Sequence, residues 1–349
     1  MSTQKAIVVT SPKAASLVTD RPIPTLRDDY ILVKTVSVAL NPTDWKHIAY
    51  LAPEGVLVGC DYSGVVEAVG QNVTRFQPGD RVCGFVHGAN AVQPEDGAFA
   101  EYIVAKADLS TRIPSTLSFQ EAATLGVGIT TVGQALYQSL QLAPPTAPTA
   151  TATREFVLVY GGSTATGALA IQFAKLSGYR VLATCSPHNF ELVKQLGAEA
   201  AFDYKDPAAP VEIRKYTDNQ LRLVLDTISL EASAKFCDAA ISTEGGDYTA
   251  LLKVGIEREN VRDRWTLAYT AVGEDFTFGE THMPAKPEDR VFAARFWETA
   301  HQLLAEGKIR VHRPKVGAHG LKGVLEGLEL LKQDKVSGEK LVYNVEETP

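Results

Sequence analysis

Cysteine is scarce in this chain of 349 residues. Cys60, Cys83, Cys185 and Cys237 stand singly, so no pair is spaced as a metal clamp or a disulfide framework. They read as free thiols of a reducing compartment, and a cytoplasmic location is expected. A basic surplus is missing too: the formal net charge is −7, which argues against a general nucleic-acid binder. No apolar run is long enough to span a bilayer, and the opening MSTQKAIVVTSPKAA turns polar too soon for a signal peptide. Disorder is excluded by a composition that is 45% hydrophobic and 21% charged. A chain of this length is expected to form two domains.

What the chain does contain falls into three stretches. Short β-branched runs dominate the first 125 residues: KAIVVT, YILVKTVSVAL, YSGVVEAVG, DRVCGFV and AEYIVA, separated by Gly, Pro and Asp. Helical periodicity then appears over 118–140, where Ser118 with Glu121 forms a capping box. Residues 143–153, APPTAPTATAT, carry three prolines and no charge and read as an extended linker. Beyond it strands and helices alternate (FVLVY, ALAIQFAKLSG, RVLATC, NFELVKQLG, AAFDY, PVEIRKYT, LRLVLDTI, LEASAKFCDAAI), a rhythm that demands a parallel sheet with helices on both faces. Asp226 is expected to end a buried strand there and cap the next turn. The last forty residues return to IRVHRPKVG, an amphipathic helix and the strand EKLVYNV. The expected class is α/β: a β-rich domain interrupted by a doubly wound one, with the C-terminal segment completing the first.

VLVYGGSTATG, residues 157–167, is the clearest functional motif. Gly161 and Gly162 allow a tight turn and close approach of backbone to a pyrophosphate, while Gly167 lets the next helix pack on the strand and aim its N-terminus at the phosphates. Ser163, Thr164 and Thr166 put hydroxyls where glycine is usual, as phosphate donors, as helix caps, or both. The following strand ends in RVLATCSPHN. A carboxylate there would bind a ribose 2′-hydroxyl and repel a 2′-phosphate. Ser186, His188 and Asn189 stand in its place and can donate hydrogen bonds, so NADPH is expected rather than NADH. Tyr204 falls either along that edge or in the core.

NPTDWK (41–46), GCDYSGVVEAVG (59–70), FQPGDRV (76–82), GAFAEY (97–102), GGSTATG with LATCSPHN, and SGEKLV (337–342) follow one another in order. Together they resemble the medium-chain dehydrogenase/reductase superfamily over nearly the whole chain. Within it, STAT and SPHN resemble the fungal stand-alone, trans-acting enoyl reductases of polyketide biosynthesis. The resemblance implies a GroES-like catalytic domain (1–126 and 308–349) around a Rossmann domain (127–307), with the active site in the cleft between them. It also implies reduction of an α,β-unsaturated thioester on a carrier domain of a polyketide synthase or a synthase–peptide synthetase hybrid. A quinone or enone reductase acting on free molecules is the enzymatic alternative, and a non-catalytic NADPH-binding protein the other. Zinc alcohol dehydrogenases of the superfamily carry Cys where Asn41 stands and His-Glu where Cys60-Asp61 stand. No metal is therefore expected, and Cys60 and Cys83 read as small buried apolar residues.

The same resemblance assigns site residues. Thr43, Asp44, Trp45 and Lys46 are carried over as cofactor contacts, with Thr164, Ala165, Thr166, Ser163, the turn Ser186, Pro187, His188 and Asn189, and Tyr204. Leu251, Leu252, Ser337 and Gly338 are implied as backbone contacts to the cofactor. Lys46 is the catalytic candidate: it polarises the thioester oxygen as enolate charge develops, or it is a surface lysine paired with Asp44. Thr131, Val132, Gly133 and Gln134, followed by Ala135, Leu136, Tyr137 and Gln138, are expected to wall the acyl pocket. Tyr269, Thr270, Ala271, Val272 and Gly273 form the second pocket segment; each segment reads equally well as core. His87, a lone loop histidine, is expected to face solvent and is left out of the catalytic set. Lys308, Arg310, Arg313, Lys315 and Lys322 lie in a stretch without an acidic residue, a docking patch for an acidic carrier or an ordinary solvated face. KVGIERENVRDRW carries seven charges in thirteen residues. On a sheet edge such charge opposes strand pairing, and a monomer is expected.

Overall fold

The structure is a computed structural model that describes residues 2–147 and 155–349. Most of the expected linker, 148–153, falls outside the described residues. The chain begins with an antiparallel hairpin, β1 (Thr3–Ser11) and β2 (Ala14–Pro22). Next come β3 (Tyr30–Ala39), helix α1 (Pro42–Tyr50), β4 (Asp61–Val69), β5 (Arg81–Phe85), β6 (Tyr102–Lys106) and β7 (Ser110–Arg112). The helix expected over 118–140 is broken into α2 (Phe119–Ala122), α3 (Gly126–Val132) and a π-helical turn, Gly133–Ser139. Ser118 and Glu121 do form the capping box. The break has a local cause. Asp61 Oδ1 accepts from Val127 N at 2.6 Å, and a Cβ on Gly126 would meet Gly84 O at 2.3 Å, so a new helix starts where backbone meets backbone.

The second stretch alternates as expected: β8 (Phe156–Tyr160), α4 (Ala165–Leu176), β9 (Arg180–Cys185), α5 (Phe190–Gln195), β10 (Ala200–Asp203), α6 (Ala209–Tyr216), β11 (Leu223–Asp226), α7 (Glu231–Ala240), β12 (Gly246–Ala250) and β13 (Val261–Trp265). All six strands are parallel, in the order β10-β9-β8-β11-β12-β13. In sequence terms this is 3-2-1-4-5-6, the Rossmann order, with its topological switch between β8 and β11. Leu158, Leu182, Val224 and Tyr248 are buried in its core.

The chain closes with the hairpin β14 (Phe276–Phe278) and β15 (Thr281–Met283), then α8 (Pro287–Ala305), β16 (Pro314–Gly317), α9 (Gly320–Lys332) and β17 (Lys340–Asn344). Strands from both ends of the chain share one sheet, β16-β17-β3-β4-β5-β7, with β6 on β3. Two compact units result. One holds Met1–Thr130, Tyr269–Glu306 and Val311–Pro349; the other holds Thr131–Ala268 and Gly307–Arg310. The segment 269–306, grouped with the nucleotide domain by the sequence-level boundaries, here packs inside the first unit. Trp297 of α8 is fully buried and donates to Thr130 Oγ1 at 3.1 Å, and Arg290 pairs with Asp29 and Asp108 at 2.9 Å.

Candidate active site

The nucleotide loop is held by its own short side chains. Gly161 has φ +81, a left-handed conformation open to glycine at little cost. Its N–H donates to Thr184 Oγ1 at 3.1 Å. Thr164 is the N-cap of α4, and its Oγ1 accepts from Gly167 N at 2.9 Å. It also lies 3.2 Å from Thr227 Oγ1. Thr164 is thus a cap first, whereas Ser163 and Thr166 have half-buried hydroxyls with no partner among the described residues. A Cβ on Gly167 would stand 2.2 Å from Gly161 O, so the helix start is fitted against the turn with no room for a side chain. This cradle, with backbone donors at the start of a 12-residue helix, suits a dinucleotide pyrophosphate.

The edges of the loop agree with that fit. Asp226 ends β11 and caps the turn after it: Oδ1 accepts from Ile228 N and Ser229 N at 2.9 Å, and Oδ2 from Ser233 Oγ at 2.6 Å and Tyr248 OH at 2.8 Å. Ser186–Asn189 form a tight 3₁₀ turn directly after β9, with Pro187 and His188 exposed and Asn189 buried. Tyr204 is exposed, not core, and Lys205 Nζ lies 5.7 Å from its ring. Leu251 N donates to Ser229 Oγ at 2.7 Å, and Leu251 and Leu252 are half-buried. Tyr137, in the π-helical turn, directs its hydroxyl to Ser177 Oγ (2.9 Å) and Phe173 O (3.3 Å), a packing role in its own unit.

In the other unit, α1 carries the NPTDWK turn. Asp44 closes the helix start: its Oδ2 accepts from Asn41 N at 2.7 Å. The carboxyl is buried, and burial, with Asp61 adding to it, pushes its pKa up to about 7. Lys46 does not pair with Asp44; it is half-buried beside the Trp45 ring, and burial lowers its pKa. Three buried polar atoms of this turn, Asn41 Nδ2, Asp44 Oδ1 and Trp45 Nε1, have no hydrogen-bond partner among the described residues. Such atoms cost free energy unless something meets them, and two donors with an acceptor suit a carboxamide or ribose edge.

Tyr269 opens a 3₁₀ turn, Ala268–Val272, and reaches the same turn. Its hydroxyl is 2.7 Å from Thr43 Oγ1 and 3.7 Å from Cys60 Sγ. His47, one turn along α1, places Nδ1 at 2.9 Å from Thr43 O and 3.1 Å from Thr43 Oγ1. His87 is not solvent-facing: it is buried and stacks on Tyr269 with ring centroids 4.1 Å apart. The isolated histidine of FVHGAN is drawn inward because Tyr269 and Phe276 cover it with ring surface, and burial holds its pKa well below the usual value. Thr270 Oγ1 donates to Asp289 Oδ2 at 2.5 Å, and Gly273 has φ +73 against Arg290. Sequence reasoning passed over His47, whose only signal was its place one residue after the NPTDWK motif.

The metal-ligand positions of zinc enzymes are occupied differently. Lys340, on β17, sends a buried ammonium to Asn41 Oδ1 at 2.9 Å and Asp61 Oδ2 at 2.5 Å. Cys60 is buried, and burial raises its thiol pKa far above normal. Among the described residues no cluster of three or more His, Cys, Asp or Glu is placed to hold a metal ion. An internal cation and a neutral thiol do not fit a zinc site. Ser337 is exposed and Gly338, at φ +66, turns the chain into that strand.

A Rossmann sheet joined in sequence to a unit built from both chain ends is the architecture of the medium-chain dehydrogenase/reductases. Matching family models agree: an alcohol dehydrogenase GroES-like domain at residues 27–115 and a zinc-binding dehydrogenase domain at 165–248. Among solved structures, an alcohol dehydrogenase superfamily protein from Novosphingobium aromaticivorans has a TM-score of 0.80, 22% identity, and coverage of 98% of this chain and 99% of that one, a likeness of fold. In sequence, the chain is 64% identical over 278 residues to the trans-enoyl reductase TOXD of Cochliobolus carbonum, covering 79% of this chain and 93% of that protein. It is 52% identical to the trans-enoyl reductase resD of Aspergillus sclerotiorum over 98% of this chain and all of that one. The chain belongs to the trans-enoyl reductases, a family of oxidoreductases on a nicotinamide-binding fold.

Proposed function

We propose that this chain is an NADPH-dependent enoyl reductase acting in trans, reducing the α,β-double bond of a polyketide thioester tethered to the carrier domain of a polyketide synthase or a synthase–peptide synthetase hybrid. The observation that carries the reading is 52% and 47% identity, over nearly the whole chain, to two proteins named trans-enoyl reductases. When bound, the reduced nicotinamide supplies the hydride. The residues of this chain bind, orient and stabilise charge. Gly161–Gly167, with Ser163, Ala165 and Thr166, are proposed to hold the pyrophosphate, and Thr43, Asp44 and Trp45 the nicotinamide half. Ser186, His188 and Asn189 are proposed to meet the 2′-phosphate with Tyr204, and Lys205 adds a cation at that edge. Leu251, Leu252, Ser337 and Gly338 are proposed backbone contacts.

Lys46 is proposed to stabilise the thioester oxygen as it gains enolate charge. Its half-buried position strengthens that interaction, since less solvent screens it. Thr131–Gln138 and Tyr269–Gly273 are the proposed acyl-chain segments. The test compares kcat/KM for NADPH and NADH with crotonyl-pantetheine, and then the same enzyme with a free quinone. A strong preference for NADPH and the thioester supports the reading. Equal efficiency with both cofactors overturns the cofactor choice, and turnover of the quinone alone overturns the substrate. Lys46→Ala is expected to lower kcat/KM for the thioester at least tenfold; an unchanged value removes Lys46 from catalysis.

A further inference from the structure

Enoyl reduction needs a proton at the α-carbon as well as a hydride, and the residues considered so far do not supply it. We propose that Tyr269 is the acid that protonates the α-carbon, resupplied through Thr43 and His47; this rests on the enoyl-reductase reading above. A carbonyl only accepts, so the 2.9 Å contact to Thr43 O requires a proton on His47 Nδ1. Thr43 Oγ1 therefore accepts from Nδ1–H at 3.1 Å. Two hydroxyl protons remain, on Thr43 and Tyr269, for a single 2.7 Å bond between them. One proton of the pair has no strong acceptor. The other hydrogen-bond contact of the phenol is the Cys60 sulfur at 3.7 Å, a weak acceptor.

The phenol is also fixed in place. Its ring is stacked on His87 at 4.1 Å and edged by His47 at 5.2 Å and Phe276 at 6.2 Å. Burial, with Cys60 next, raises its pKa well above that of a free phenol, so it holds its proton until a strong base such as an enolate forms. The neighbouring titratable groups are less suited. Asp44 faces Asn41 N, and Lys106 is engaged by Glu274, Asp29 and Tyr30. His87 Nδ1 accepts from Asn90 Nδ2 at 3.4 Å and so carries no proton to give there.

A hydride arrives at the β-carbon, and the π pair of the double bond becomes the enolate. The α-carbon takes the phenolic proton, leaving phenolate. Thr43 gives its hydroxyl proton to the phenolate and takes the Nδ1 proton of His47, while Nε2 of His47 takes a proton from water. The imidazole returns to its Nδ1–H form by exchange with solvent. Each double bond consumes one hydride and one solvent proton.

The test uses the full chain with NADPH and a 2-methylcrotonyl-pantetheine thioester, whose product is stereogenic at the α-carbon. Tyr269→Phe is expected to lower kcat about 100-fold, to leave the NADPH Kd within about threefold, and to give both α-epimers where the parent enzyme gives one. Thr43→Val, which keeps the phenol but cuts its supply, is expected to lower kcat about tenfold, change the solvent deuterium isotope effect, and keep one epimer. A Tyr269→Phe enzyme that still sets a single epimer, fast or slow, overturns the proposal and leaves the reaction assignment intact. Failure of the parent enzyme on both crotonyl and 2-methylcrotonyl thioesters overturns the assignment and the proposal together.

Discussion

The nucleotide loop and the α1 turn treat polar atoms in opposite ways. In the loop, backbone groups and buried side chains are paired while the Ser163 and Thr166 hydroxyls stay open: Thr164 caps Gly167, Thr184 receives Gly161 N, Thr227 Oγ1 donates to Tyr160 O at 2.8 Å, and at the neighbouring strand end Asp226 accepts four donors. Around α1, charge and dipoles are buried with gaps left open at Asn41, Asp44 and Trp45. The first arrangement gives a rigid backbone cradle. The second leaves buried polar atoms unpaired in the turn proposed above to meet developing charge, and fixed dipoles there would need no reorganisation in a transition state.

The comparison is tested hardest at Lys340. Its ammonium holds Asn41 and Asp61 together, and Asp61 is fully buried. Lys340→Met leaves that carboxylate without its cation and is expected to cost about 3–5 kcal/mol in urea unfolding. Lys340→Met with Asp61→Asn should recover part of the loss; additive losses would mean the two groups are not coupled. On the cradle side, Gly167→Ala forces a Cβ to within 2.2 Å of Gly161 O. We expect a loss of about 3 kcal/mol and at least tenfold weaker NADPH binding by fluorescence titration, whereas Ser163→Ala should change binding much less. Equal effects of the two would break the claim that the cradle is a backbone device.

A third prediction concerns pH. Burial raises Asp44 to about 7 from an ordinary value of 3.8 and Asp96 to about 6. Between pH 4 and 7 the folded state therefore holds protons that the unfolded state has lost, so stability falls as pH rises through this window, by at most about 1.4 kcal/mol per pH unit for each group. Asp44→Asn should flatten the slope from pH 6 to 7 and leave the part due to Asp96 below it. An unchanged slope in that variant would show that the α1 carboxyl is ionised throughout.

These contrasts explain what was legible in the chain. The cradle was, because a strand, two glycines, a capping threonine and a helix follow one another within eleven residues, and local rules govern each. The parallel sheet was legible for the same reason. The α1 site was only half legible: Thr43, Asp44 and Lys46 lie in one motif, but Tyr269 and Lys340 come from segments more than two hundred residues away. Nothing local in FVHGAN distinguishes a buried His87 from an exposed one; ring surface from Phe276 and Tyr269 decides it. Likewise, periodicity over 118–140 could not reveal that a new helix would start at Gly126, with Asp61 accepting from Val127 N.

The smallest expected effect lies on the basic stretch, where the same question of satisfied against open charge recurs. Lys308, Arg310, Arg313, Lys315 and Lys322 are all exposed, yet Glu339 lies 3.6 Å from Arg313 and 3.4 Å from Lys315. That carboxylate offsets part of the local positive field, so Arg310 should matter more than Arg313 for an acidic carrier. Arg310→Glu is expected to lower kcat/KM for a carrier-tethered enoyl thioester about fivefold at low ionic strength, and Arg313→Glu by less. Turnover of the pantetheine thioester should not change with either. The loss should also fade in ~0.5 M salt, where the Debye length is only a few ångströms. Equal losses on both substrates, or a loss indifferent to salt, would mean that these cations act on folding and not on encounter.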